Sequence, residues 1–127
     1  MRTQYHFRKS PAGLCAWNVH RLVELSRSLV PERVPLSSIR ELDEPYWAGA
    51  DSQKLTCREI VDHARLMLES DLAFPVILSS DGRVMDGMHR ICKALLQGQS
   101  DIEAVRFVHD PEPDTVGVHP DDLPYSE

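Results

Sequence analysis

An α+β domain, with a mixed sheet and helices packed on it, is the fold class this sequence predicts. Three observations carry the expectation. Stretches with helical apolar spacing alternate with short apolar runs of strand length, an Asp-Gly turn joins two of those runs, and Pro or Gly marks most of the boundaries. At 127 residues the chain is expected to form one domain around one core.

Asn18 to Leu29 carries Val19, Leu22, Val23, Ser26 and Leu29 at i, i+3, i+4 spacing. That predicts an amphipathic helix, stopped by Pro31 and Pro35. Val34 to Ile39 reads as a short strand, and Pro35 places it at an edge or a strand start. Asp43 to Ser52 is polar and turn-prone, although Tyr46 and Trp47 can pack. Thr56-Cys57-Arg58-Glu59 fits a capping box and opens a second helix to about Ser70. Its buried face is expected to be Ile60, Val61, Ala64, Met67 and Leu68. Pro75 to Leu78 is an apolar strand, Ser79 to Gly82 a turn whose Asp81-Gly82 suits a tight hairpin, and Arg83 to Met85 the returning strand. Asp86-Gly87 breaks that strand. His89 to Gln97 is a third helix, with Met88, Ile91, Cys92 and Leu95 on one face and Gly98 as its stop. Ile102 to Val108 reads as the last strand. The domain is therefore expected to span 1–109. An acidic, Pro-rich tail follows over 110–127, either extended over the surface or disordered.

Charge narrows the partners. The net charge of -6 comes entirely from the six acids of the tail, because residues 1–109 hold equal numbers of acids and bases. A neutral body argues against duplex DNA, which needs several bases on one face. The tail is instead an expected contact for a basic protein partner. No apolar run reaches the eighteen or so residues that a membrane span needs. No apolar segment follows Arg2, Arg8 and Lys9, so a secretory signal is not expected. Three separated cysteines, Cys15, Cys57 and Cys92, do not form a disulfide framework, and a cytoplasmic location fits them better. The six histidines and three cysteines show no zinc-site spacing. Cys57 and Cys92 are expected as small core residues, and Trp17 and Trp47 as core anchors.

The segment Asp81 to Gly98, DGRVMDGMHRICKALLQG, is the richest in chemistry. A hairpin and a Gly turn lead into a helix whose first turn carries Met88, His89 and Arg90. The free N–H groups and the dipole of a helix N-terminus attract anions, so cations there are unfavourable unless an anion is near. Gly87 lets a phosphate approach the backbone. Arg90 can fork onto phosphate oxygens. Asp86 can hold magnesium or accept a hydroxyl proton. The plainer alternative is that Asp86 caps the helix, Gly87 serves the turn, His89 is exposed and Arg90 pairs with an acid.

Asp86-Gly87-Met88-His89-Arg90, with Ala94 and Gly98 downstream, resembles the signature of the ParB/sulfiredoxin superfamily. Val34-Pro35-Leu36-Ser37-Ser38-Ile39 resembles its opening strand, and the likeness spans about residues 34–108. The resemblance implies a small α+β domain that binds nucleotide phosphates at the motif helix through Gly87, Met88, His89 and Arg90. Sulfiredoxins place a catalytic cysteine just before the His-Arg pair, where this chain has Met88, so that activity is not expected. Partition proteins add a DNA-binding region downstream, where this chain has only its tail. The Asp-Gly-x-His-Arg pattern is most similar to the free-serine-kinase branch. That likeness implies ATP or ADP (with CTP the choice of the partition branch), magnesium on Asp86 and a small-molecule acceptor. A catalytic glutamate is also implied shortly after the first strand, at Glu41 or Glu44, with Glu44 carried forward beside Asp86. The expectation is a nucleotide-binding phosphotransferase; the alternative is a non-enzymatic nucleotide-sensing or protein-interaction module.

Overall fold

The computed structural model describes residues 4–47 and 55–125. Arg2, Glu127 and the last part of the expected Asp43–Ser52 turn lie outside the described residues. The fold is α+β, as predicted, and is built on two sheets. The first is antiparallel. It holds β1 (Tyr5–Ser10), β2 (Gly13–Asn18) and a two-residue β7 (Thr115–Val116), in the order β1-β2-β7. The second holds β3 (Glu32–Pro35), β4 (Val76–Leu78), β5 (Val84–Asp86) and β6 (Asp101–Arg106), in the order β3-β6-β4-β5. Its β4–β6 pair is parallel and its other two pairs are antiparallel, so the sheet is mixed. Three α-helices among the described residues complete the fold: α1 (Val19–Ser26), α2 (Cys57–Glu69) and α3 (Met88–Leu96).

The second sheet is covered on both faces, which is why its strands read as continuous apolar runs. On one face Val76, Leu78, Val84, Ile102 and Ala104 meet Met88, Ile91 and Ala94 of α3, together with Leu36 and Ile39. On the other, Ile77, Met85, Val105 and Phe107 meet Leu22 of α1 and Cys15 and Trp17 of β2. Each fully buried aliphatic here stabilises by about 1.5–3 kcal/mol.

The structure revises several expectations. The first helix ends at Ser26, whose hydroxyl donates to the Val23 carbonyl and competes with the helical bonding. The opening strand runs over Glu32–Pro35, where Pro35 opposes Asp101, the first residue of β6, and one further backbone bond, from the Leu36 amide to the Ser100 carbonyl at 3.0 Å, closes the pairing. Leu36–Ser38 then forms a 3-10 turn, which brings Leu36 and Ile39, three residues apart, into the core together. The hairpin connection spans five residues, 79–83, because the Asp81 carboxylate accepts from the Ser79 hydroxyl and the Arg83 amide and organises a wider turn. In α3 the buried residues are Met88, Ile91 and Ala94, whereas Leu95 is 53 % exposed. The final strand stops at Arg106, and Val108 is exposed.

Two larger findings concern the chain ends. The basic stretch near the N-terminus, for which the sequence predicts no element, is the strand β1. Its less exposed side is polar: His6 lies opposite Trp17 and Arg8 opposite Cys15, while Phe7 points outward. The inverted pattern hides the strand from a hydrophobicity reading. The tail is extended over the surface, the first of its two expected states. Pro111 accepts from Trp17 Nε1 at 2.8 Å, Asp114 pairs with Arg21 at 2.8 Å, and Thr115–Val116 adds an edge to β2. Among the described residues, no helix is long and apolar enough to cross a membrane.

Candidate functional site

The passage from β5 into α3 requires glycine. Gly87 has φ 109° and ψ 20°, in the left-handed region. A Cβ there would lie 2.6 Å from Val76 Cγ1 and 2.7 Å from Arg90 Nη2. The turn thus brings the backbone against β4 and delivers Met88, His89 and Arg90 into the first helical turn. Among the described residues no side chain caps this helix, and its first turn contains no acid. Asp86, the expected alternative cap, accepts instead from Arg90 Nη2 at 2.9 Å through Oδ2. Arg90 Nη1 donates to the Phe74 carbonyl at 3.3 Å. The pair therefore clamps the end of β5 to the first turn of α3 and to the loop before β4.

A cleft of about 400 Å³ opens beside this turn, lined by Asp86, Gly87, Met88 and His89 and walled by Tyr46, Trp47 and residues of β1. The Met88 side chain is itself buried in the core, so its backbone is the part a ligand can meet. His89 is held by residues from two other segments. His63 of α2 places Nδ1 at 2.9 Å from His89 Nε2. Trp47 stacks on both imidazoles, 4.2 Å from His63 and 4.7 Å from His89, at about 20° to each. Burial and the neighbouring His63 lower the His89 pKa, which favours a neutral ring. Burial, then Glu41 and Asp86, raise the pKa of Tyr46, so it stays a hydroxyl.

A second polar compartment, about 320 Å³, shares His6, Phe7 and Tyr46 with the first and adds Arg8, Glu41, Glu44 and Arg83. The two acids behave differently. Glu44 takes Arg83 Nη1 on both oxygens, at 2.7 and 2.8 Å. Glu41 is only 5 % exposed and accepts the Val84 amide at 2.8 Å through Oε2, while its Oε1 has no hydrogen-bond partner among the described residues. His6 is neutral, its pKa lowered to about 4 by burial and by Arg8 against the opposing pull of Asp110. A larger cavity, about 650 Å³, lies elsewhere, beside the β4–β5 turn. Its arginines, Arg40 and Arg106, bond the loop carbonyls of Asp81 and Ser80, so they serve the turn.

Asp86, Gly87, Met88 and His89 thus share one cleft, Arg90 braces it through Asp86, and Glu44 lies in the adjoining compartment. His63, Trp47, Tyr46 and His6 were not singled out from spacing, because three separate segments bring them to the motif. Cys57 is exposed rather than core, since α2 turns it outward, and burial raises the thiol pKa of half-buried Cys92. Among the described residues, no group of three or more His, Cys, Asp or Glu could hold a metal ion. No family model, curated protein or solved structure matches the chain.

Proposed function

We propose that this chain is a ParB/sulfiredoxin-like domain that binds the phosphates of a nucleotide at the start of α3. The observation that carries the reading is the uncapped helix N-terminus at Gly87, open to a cleft and bearing His89 and Arg90 but no acid in its first turn. The backbone after Gly87 supplies donors, His89 adds a ring N–H, and Arg90 holds Asp86 in place beside them. Asp86 alone would hold magnesium, with phosphate oxygens and waters as the other ligands. Such a donor set suits magnesium only alongside a bound nucleotide. ATP, ADP and CTP are the candidate nucleotides. With a small-molecule acceptor, Asp86 would orient the hydroxyl, and Glu44 or its buried neighbour Glu41 would stand at the acceptor end. Positioning and electrostatics would supply most of the catalysis.

The second reading is a non-enzymatic nucleotide-sensing or protein-interaction module. It is favoured by the tail, where Asp121 and Asp122 remain exposed while Asp110 and Asp114 bond within the chain.

Thermal unfolding against ATP, ADP, CTP, GTP and inorganic phosphate, each with and without magnesium, tests the proposal. A ligand at about 100 times its Kd adds roughly 2.7 kcal/mol. The expected result is an upshift of several degrees for one nucleotide, lost in Arg90→Ala. A cooperative transition that no ligand moves would remove the nucleotide reading. Asp86→Asn then separates the two readings: an enzyme loses turnover and keeps binding, whereas a sensor changes only in affinity.

A further inference from the structure

The phosphate reading assigns a role to His89 but none to His63, which lies 26 residues earlier on another helix. We infer that His63 is the positioning residue for His89: by donating from Nδ1 to His89 Nε2, it fixes the His89 proton on Nδ1, where it can be offered to an anion in the cleft.

The geometry narrows the choice, and the chemistry of an anion in the cleft makes it. His89 lines the cleft, and its Nε2 is already engaged by His63 at 2.9 Å, so Nδ1 is the nitrogen left for a ligand. A neutral imidazole carries one proton, and which nitrogen holds it is set by the hydrogen bond the other makes. Burial, the neighbouring His63 and the positive end of α3 all favour the neutral ring. If His89 Nε2 were the donor, Nδ1 would present a lone pair to a phosphate, which is repulsive. With His63 as the donor, Nδ1–H faces the anion. Trp47 stacks at about 20° on both rings and keeps them close to one plane, which aligns the N–H with the acceptor lone pair. The three residues come from three segments, so one contact carries the placement of α2 into the geometry of the cleft.

The inference rests on the phosphate reading for its use but not for its test. Long-range proton–nitrogen NMR of the full chain reads the His89 tautomer without any ligand. Inorganic pyrophosphate, titrated by calorimetry, reads the consequence. In wild type, His89 is expected to show a protonated Nδ1 and a bare Nε2. His63→Leu should lose that signature and weaken pyrophosphate binding about ten-fold, the value of one hydrogen bond to a charged group. His63→Asn returns an N–H near the Nδ1 position and should restore most of both. A protonated Nε2 on His89 in wild type would overturn the inference, as would a His63→Leu protein that melts normally with the His89 spectrum unchanged. A wild type that shows the expected tautomer, lost in His63→Leu, yet binds no pyrophosphate would uphold the positioning role and remove the phosphate reading instead.

Discussion

Helices α2 and α3 carry similar apolar stripes, yet the chain uses them in opposite ways. In α3, Met88, Ile91 and Ala94 are buried against the sheet. In α2 no residue is buried, and the expected inner face turns outward except for half-buried Met67, with Ile60 54 %, Val61 56 % and Leu68 69 % exposed. What holds α2 is mostly polar. His63 bonds His89, and Lys93 of α3 donates to the Leu68 and Ser70 carbonyls at 3.1 and 2.6 Å, capping the end of α2. Amphipathic spacing thus gives the presence of a helix but not which neighbour it meets. In α2 the side that faces the protein carries His63, so the contact that seats the helix is also part of the candidate site.

The comparison can be broken first in α3. Ile91→Ala should cost about 3–4 kcal/mol, because Ile91 is fully buried at the centre of the larger core. Denaturant unfolding with an unchanged m-value would measure it, and a cost below about 1 kcal/mol would mean that α3 is not the packed helix described. Gly87→Ala should cost about 2–3 kcal/mol, since it combines a left-handed φ with a 2.6 Å clash against Val76. A cost that small-residue substitutions elsewhere also show would remove the special turn.

Acid tests the β1 wall of the cleft. His6 has its pKa lowered to about 4 in the folded chain, against about 6.5 when unfolded. The unfolded state therefore takes up the proton first. Stability from this group is complete above about pH 6.5 and is lost as pH falls toward 4, by roughly 2–3 kcal/mol. His6→Phe should flatten that limb, and parallel pH curves for the two proteins would show that His6 is not the buried neutral group. The smallest effect belongs to α2: Ile60→Ser and Leu68→Ser should each change stability by less than about 0.5 kcal/mol. A cost near that of Ile91→Ala would show that the stripe has a partner.

Much of this was legible from local chemistry. The Thr56–Glu59 capping box forms as read, with Thr56 Oγ1 accepting the Glu59 amide and Glu59 reaching back to the Thr56 amide. The β4–β5 hairpin, the Gly87 turn and the Gly98 stop are equally local, and each lies within a residue or two of its expected place. What was not legible is non-local. The β1–β2 hairpin hides behind inward-facing His6 and Arg8. The tail's pairing with β2 depends on Trp17 and Arg21, which lie about ninety residues away. The motif itself stood out in the sequence, but its supports, His63, Trp47 and Tyr46, meet it only once the chain has folded. Glu41 and Glu44 were distinguished only by burial and by the grip of Arg83 on Glu44.

The most direct test of an anion site at the start of α3 is a titration of ATP with magnesium into the nitrogen-labelled chain, followed at the backbone amides. The expected result is saturable shifts concentrated at Gly87, Met88, His89 and Arg90, with the Ser80 and Arg106 amides beside the larger cavity unmoved. Shifts centred on Ser80 and Arg106 instead, or none at millimolar ligand, would contradict it.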